Sequence, residues 1–185
     1  MNSGKLTEKD VANAGDGAMV HRDGHRVRIL GEGTDEAGRF LRIEHVWTRP
    51  GQMAGPHWHP VLTEFFAVEE GRMRFRVDGK EFFLGPGESV TVRPRQVHRF
   101  WNEGEERLVV RHEIRPPGRH MEMFELWHRL DLEGKTNRQG VPTGPLSLGL
   151  LWELQDGYVA HVPAFAQRLV FGGLARLAKR IGYPV

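Results

Sequence analysis

The chain has 185 residues, of which 39% are hydrophobic and 27% are charged, as is usual for a globular protein with one core and an appendage. Lys and Arg total 26 against 24 Asp and Glu, a net charge of +2, which lacks the clustered positive excess typical of nucleic-acid binding. There is no cysteine, so disulfides and thiolate metal sites are excluded, and any metal must be held by nitrogen and oxygen ligands.

The first segment, residues 1–20, is small, polar and glycine-containing, and we predict that it is flexible. It lacks the apolar run of a secretory signal peptide. No apolar stretch of the chain is long enough to span a bilayer. We therefore expect a cytoplasmic protein with neither a membrane nor a nucleic acid as its partner.

Residues 21–118 have the pattern of many short strands separated by turns. In GRFLRIEHVW (38–47) and RMRFRV (72–77) the side chains alternate between two faces, as on half-buried strands. Asp78-Gly79 then favours a type I′ hairpin turn into KEFFL (80–84), and LVVRHEI (108–114) closes the series. Strands this short and frequent predict a mainly β fold, an antiparallel barrel or sandwich.

The pattern changes in residues 119–185, which we predict to be a mainly helical C-terminal extension. Apolar residues in 120–130 approach helical spacing, and a Gly/Pro/Thr-rich link follows at 140–145. The last helix is predicted to begin at Pro163, a residue favoured in the first turn. Its apolar stripe, expected to pack within the protein or a dimer, comprises Val170, Leu174, Leu177 and Ile181.

The stretch GPHWHPVLTE (55–64) contains two histidines and a glutamate in close succession. On a strand, His57 and His59 point to the same side. If the next strand runs back beside them, Glu64 faces the same space. His98, farther along, could be brought in by a neighbouring strand. Three imidazoles and a carboxylate are a suitable ligand set for a divalent transition metal.

These residues lie in a pattern that resembles the cupin family. The first cupin motif is G-x5-H-x-H-x3,4-E-x6-G, and every fixed position is filled here, by Gly51, His57, His59, Glu64 and Gly71.

The second cupin motif, G-x5-P-x-G-x2-H-x3-N, is matched in part. Gly87, His98 and Asn102 stand at the expected spacing, whereas Arg93 and Arg95 replace the motif's proline and second glycine. The resemblance covers roughly residues 36–115, and the departure concerns the turn before the histidine.

The resemblance implies a cupin-type jelly-roll β-barrel with one divalent transition metal at its mouth. The ligands carried over are His57, His59, Glu64 and His98, and the metal is Fe, Mn, Ni, Cu or Zn. It also implies a homodimer. Without a metal, the same four residues would be a hydrogen-bonded polar cluster.

Other residues are candidates for the substrate pocket and for catalysis. By alternation, Phe66 and Val68 share the face of Glu64, and Phe100 shares that of His98. His45 is a further pocket candidate. Glu64 is a candidate ligand and base, and His112 a candidate acid or base, although both histidines are more simply interpreted as satisfied core residues.

The favoured function is a metal-dependent enzyme acting on a small organic molecule, with oxidoreductase chemistry of the dioxygenase type. An apolar pocket and the absence of a phosphate-binding run favour this choice. The alternatives are a metal-dependent isomerase or decarboxylase, a non-catalytic small-molecule-binding module, and a barrel that the metal only stabilises. One scaffold hosts many chemistries, so the fold does not choose among them.

Overall fold

A computed structural model describes residues 17–104 and 107–183 of the chain. The predicted flexible segment, 1–20, therefore lies mostly outside the described residues, and its last two residues form a short strand. The described strands are β1 (Met19–Val20), β2 (Arg26–Asp35), β3 (Gly38–Trp47), β4 (Gly51–Trp58), β5 (Thr63–Glu70), β6 (Met73–Val77), β7 (Lys80–Leu84), β8 (Ser89–Val92), β9 (His98–Asn102), β10 (Leu108–Arg115) and β11 (Tyr158–Val159). The described helices are α1 (His120–Leu132), α2 (Pro145–Gln155) and α3 (Ala164–Arg180).

The strands form two antiparallel sheets. The first has the order β1-β2-β3-β10-β5-β8 and the second has the order β11-β4-β9-β6-β7. The predicted hairpin between β6 and β7 is present: Val77 pairs with Lys80, and Asp78 and Gly79 both have positive φ, as a type I′ turn requires. The mainly β fold with a helical C-terminal extension is confirmed.

Alternation along the strands gives each sheet one buried face. Leu41, Ile43, His45 and Trp47 all turn inward from β3, as their spacing predicted. Two clusters of apolar side chains form on this inner side. One lies between the two sheets and includes Phe66, Met73 and Phe75, and the other lies between the first sheet and the helices.

The C-terminal extension is joined to both sheets. Residues of α1, α2 and α3 join residues of the first sheet in the second apolar cluster, with α3 packed on α2, and β11 adds an edge strand to the second sheet by pairing with β4. Among the described residues, none of the helices has the length and apolar character needed to cross a membrane. The division into segments 21–118 and 119–185 stays a prediction.

The buried face of α3 differs from the predicted one. Val170, Leu177 and Ile181 are 54%, 49% and 60% exposed, whereas Ala175 and Ala178 are fully buried. Small residues face α2 because the two helices approach closely: a Cβ added to Gly149 of α2 would lie 2.7 Å from the Cβ of Leu174. Three of the four stripe residues are therefore exposed, while Leu174 packs against α2, and the homodimer stays a prediction.

Candidate metal centre

Four side chains converge where the two sheets meet. His57 near the end of β4 stands directly opposite His98 at the start of β9, and His59 follows β4 by one residue. Glu64 comes from β5, which lies in the other sheet. Strand β5 does not run beside β4, because the chain crosses between the sheets in residues 59–62, yet Glu64 still faces the same space as the histidines. One ligand atom from each of the four residues lies within 4.8 Å of the others.

Each of the three histidines is held by a backbone carbonyl at Nδ1. The distances are 2.7 Å from His57 to Gly55 O, 3.0 Å from His59 to Asp156 O and 3.2 Å from His98 to Gln96 O. A carbonyl oxygen only accepts, so each Nδ1 donates and each neutral ring keeps a lone pair on Nε2. Fixing the tautomer in this way is what prepares histidine to bind a metal.

The protonation states of the rings agree with that arrangement. Burial, together with the neighbouring rings of His98 and His59, lowers the pKa of His57 to about 3. Burial also lowers the pKa of His59, although Glu64 and the Asp156 carbonyl act in the opposite direction. Both rings are therefore neutral near pH 7 and available as ligands.

Glu64 is buried and faces the three rings. Its Oε2 lies 3.0 Å from His98 Nε2 and 3.5 Å from His59 Nε2. Burial alone would raise the pKa of Glu64, but the hydrogen bond from His112 Nε2 holds it well below its usual range. The side chain is therefore a carboxylate.

Two atoms of this cluster lack the partner that burial normally demands. Glu64 Oε2 and His98 Nε2 are both buried without a satisfied hydrogen bond. His98 already donates from Nδ1, so a hydrogen bond between these two atoms would need a second proton on its ring. Buried lone pairs that face each other are costly unless a cation lies between them. The four residues therefore fit a divalent metal ion.

A line of hydrogen-bonded imidazoles continues from the other oxygen of Glu64. Glu64 Oε1 lies 3.1 Å from His112 Nε2, His112 Nδ1 lies 3.3 Å from His45 Nε2, and His45 Nδ1 lies 3.1 Å from His25 Nε2. We call His112, His45 and His25 the histidine row. All three are buried, and the row crosses the inner face of the first sheet from β5 through β10 and β3 to the start of β2.

The carboxylate sets the direction of every hydrogen bond in the row. Glu64 Oε1 can only accept, so His112 donates from Nε2 and accepts at Nδ1. His45 therefore donates from Nε2 to His112 Nδ1, and His25 donates from Nε2 to His45 Nδ1. Burial holds the pKa of both His45 and His25 well below the usual value, which keeps these rings neutral. The row thus fixes the orientation of Glu64 and leaves its Oε2 for a metal.

The C-terminal extension completes the surroundings of the metal centre. The Asp156 carbonyl holds His59, and β11 pairs with β4 beside His57. A Cβ at Gly157 would lie 2.9 Å from His59 Cε1, so only glycine fits against that ring without displacement. Sequence reasoning missed Asp156 and Gly157, because a backbone carbonyl leaves no mark on the sequence.

The remaining predicted residues occupy well-defined places. Phe66 and Val68 are buried in the cluster between the sheets, with Phe100 packed against it. Phe66 stacks on His112 with a ring-centroid separation of 4.1 Å. His112 contacts Glu64, and His45 lies one step farther along the row. Their catalytic or pocket roles stay predictions.

Comparisons with known proteins bear on the family of the fold. Residues 45–114 match the family model described as "Cupin domain". These residues therefore form a cupin domain, and the predicted resemblance is confirmed.

Two curated Streptomyces proteins share sequence with the chain. "Polyketide synthase CurC" of Streptomyces cyaneus is 38% identical over 58 residues, which cover 31% of this chain and 38% of that protein. "Tetracenomycin polyketide synthase protein TcmJ" of Streptomyces glaucescens is 30% identical over 87 residues, covering 47% of this chain and 58% of that protein. The chain thus spans less than two thirds of either relative.

Among solved structures, KdgF from Halomonas sp. superposes with a TM-score of 0.43 at 18% identity, covering 49% of this chain and 78% of that one.

Proposed function

We propose that the chain is a metal-dependent enzyme that acts on a small organic substrate, with oxygenase-type chemistry on an enol or a phenol. The observation that carries the proposal is the convergence of three tautomer-fixed imidazoles and one carboxylate, with Glu64 Oε2 and His98 Nε2 left unpaired. Three nitrogens and one oxygen suit Fe, Mn, Ni, Cu or Zn rather than Mg or Ca. Both curated relatives bear polyketide synthase in their names, and enols and phenols are reactive groups of aromatic polyketides.

Each residue of the centre has a distinct part in this proposal. His57, His59, His98 and Glu64 would hold the ion, which would supply Lewis-acid or redox chemistry. His57 is the least buried of the four and marks the side from which a substrate approaches. If Glu64 Oε2 leaves the ion, it can take the proton of a substrate hydroxyl while Oε1 stays bonded to His112. Phe66 and Phe75, packed nearby, exclude water.

The first test is the metal content, measured by elemental mass spectrometry on protein purified without a histidine tag. We expect near-stoichiometric metal in the unaltered protein and little in His57→Ala or His98→Ala. The control is His161→Asn: His161 is exposed and has φ 65°, which asparagine tolerates, and this variant should retain its metal. A redox-active metal would then justify oxygen-uptake assays with enols and phenols.

Two outcomes would count against the proposal. Stoichiometric zinc with no oxygen uptake would replace the oxygenase with an isomerase, a decarboxylase or a structural metal. No metal after reconstitution with iron, manganese, nickel, copper and zinc would overturn the metal-dependent mechanism and favour a small-molecule-binding module. Cytoplasmic location and homodimerisation belong to the same proposal and are checked by fractionation and by light scattering.

A further inference from the structure

A cavity lies at the far end of the histidine row, away from the metal centre. Its volume is about 700 Å³, within the range of small-molecule sites. It is bordered by the β1–β2 turn, the β3–β4 loop and segment 137–140. None of the four metal-centre residues lines it. Its lining includes two histidines, two tryptophans and two arginines: His21, His25, Trp47, Trp127, Arg49 and Arg138.

Two buried imidazoles in the cavity wall have nitrogen atoms without a partner. His21 is only 3% exposed, and its Nε2 is buried without a hydrogen bond to any described residue. His25 is only 4% exposed. Its Nε2 donates to His45, while its Nδ1 is bonded to no residue in the described part of the chain.

The direction of the row makes His25 Nδ1 an acceptor. Because His25 donates from Nε2, the neutral ring carries a lone pair on Nδ1. Burial lowers the pKa of His21 to about 4, so that ring is neutral as well. A ligand that satisfies His25 Nδ1 must therefore carry a hydrogen-bond donor, such as a hydroxyl group.

Flat aromatic rings form the sides of the cavity. Trp47 stacks on His25 with centroids 4.7 Å apart and planes inclined by 10°, and Trp127 lies 4.5 Å from His21. Trp127 Nε1 donates to the Gly140 carbonyl at 2.7 Å, which fixes segment 137–140 at the cavity edge. Such walls favour a planar, aromatic ligand.

The rim carries positive charge that the described part of the chain does not neutralise. Arg49 and Arg138 are exposed and form no ion pair with any carboxylate in residues 17–104 and 107–183. The two carboxylates at the cavity are already engaged. Asp131 accepts from the Arg22 backbone N–H at 2.6 Å and from the Thr136 hydroxyl at 2.5 Å, and Asp23 accepts from the His25 backbone N–H at 2.9 Å. Unpaired arginines at a rim favour a carboxylate-bearing ligand.

We propose that this cavity binds a planar aromatic carboxylate that carries a hydroxyl group remote from the acid. The carboxylate lies at Arg49 and Arg138, the ring lies along Trp47 and Trp127, and the hydroxyl donates to His25 Nδ1. The site is separate from the metal centre and joined to it by the histidine row. The proposal therefore stands whether or not the metal centre is catalytic.

Isothermal titration calorimetry with three matched probes tests the assignment. 6-Hydroxy-2-naphthoate has all three features, 2-naphthoate lacks the hydroxyl, and 2-naphthol lacks the carboxylate. We expect 6-hydroxy-2-naphthoate to bind one per chain, and each deficient probe to bind about tenfold more weakly or worse, since each loses one polar contact. Equal binding of all three probes, or no binding at about 1 mM, the weak end of ordinary affinities, would overturn the proposal.

Variants locate the binding. Arg49→Ala combined with Arg138→Ala should weaken 6-hydroxy-2-naphthoate about tenfold and leave 2-naphthol unchanged, whereas Arg180→Ala, at an exposed arginine of α3, should change neither. His25→Phe keeps a ring against Trp47 and should abolish the preference for the hydroxylated probe. If His25→Phe does not fold, the double arginine variant still shows whether 6-hydroxy-2-naphthoate binds in this cavity.

The metal-centre variant separates this proposal from the function proposed above. His98→Ala should bind 6-hydroxy-2-naphthoate as the unaltered protein does. Loss of 6-hydroxy-2-naphthoate binding in His98→Ala would place the probe at the metal centre. Unchanged affinity in the variant that combines Arg49→Ala with Arg138→Ala would show that the probe does not bind in this cavity. Either result would refute the second site.

Discussion

Arg95 has a backbone conformation that favours glycine. Its φ is 69°, and it stands where the second cupin motif has its glycine. The Arg95 N–H donates to the His59 carbonyl at 2.7 Å, so this turn braces the segment that carries a proposed ligand. The turn therefore keeps its left-handed geometry although the motif's glycine is replaced.

A comparison of Arg95→Gly with Arg95→Ala measures the strain at this turn. Both variants remove the same side chain, but only alanine keeps a Cβ in the left-handed region. We expect the glycine variant to be more stable than the alanine variant by about 1 kcal/mol. Urea unfolding of both proteins provides the measurement, and an alanine variant of equal or greater stability would contradict the assigned conformation.

Helices α2 and α3 pack closely because glycine and alanine line their contact. A Cβ at Gly149 would lie 2.7 Å from Leu174 Cβ and 2.9 Å from the Ala175 nitrogen. A Cβ at Gly173, on α3, would meet nothing within 4 Å. Both glycines lie within helices, but Gly149 is crowded by the neighbouring helix and Gly173 has open space around it.

Alanine substitution should therefore have opposite effects at these two positions. Gly173→Ala should stabilise the protein by about 0.5–1 kcal/mol, the gain in helix propensity. Gly149→Ala should destabilise it by about 1–3 kcal/mol, because overpacking outweighs the same gain. Denaturant midpoints measure both effects, and shifts in the same direction would argue against the close contact of α2 with α3.

Strand β11 and the residues before it link the extension to the metal centre. We expect Gly157→Ala to weaken metal binding about tenfold or more, since displacing the partner of a metal-binding histidine typically has this effect. The new Cβ would press on His59, 2.9 Å from its Cε1, and disturb its hydrogen bond to Asp156. The measurement is zinc affinity by chelator competition.

The control for Gly157→Ala is Gly173→Ala, which makes the same change away from the site. It should bind zinc as the unaltered protein does. A folded Gly157→Ala protein with unchanged zinc affinity would show that the extension does not support His59.

The whole molecule buries histidines that its unfolded chain would protonate. Burial lowers the pKa of His21 and of His120 to about 4 each, from 6.5. Below pH 6.5 the unfolded chain binds protons that the folded protein does not bind. The free energy of unfolding is therefore highest above pH 6.5 and falls as the pH drops towards 4. These two histidines alone change the free energy of unfolding by up to about 3 kcal/mol per pH unit.

Thermal unfolding from pH 8 to pH 5, in buffer containing a chelator, checks this dependence. We expect a nearly constant Tm above pH 7 and a progressive fall below pH 6.5. His21→Asn removes one titrating ring and should reduce the slope. A Tm that stays constant or rises on acidification would show that these rings are protonated in the folded protein.

The sequence by itself determined the features that depend on local pattern. Alternation identified the inward faces of β3 and β6, Asp78-Gly79 identified the hairpin turn, and the motif spacing identified the four converging residues. These features could be predicted because the two-residue period of a strand and the positive φ of a turn are properties of neighbouring residues.

Only the tertiary structure decided the features that depend on distant parts of the chain. It placed Glu64 in the sheet opposite His57, aligned His112, His45 and His25 into one row, and brought the Asp156 carbonyl to His59, 97 positions away. It also buried the small-residue face of α3 in place of its apolar stripe. Sheet membership, hydrogen bonds between remote side chains and helix contact faces arise from packing, which no short-range period in the sequence specifies.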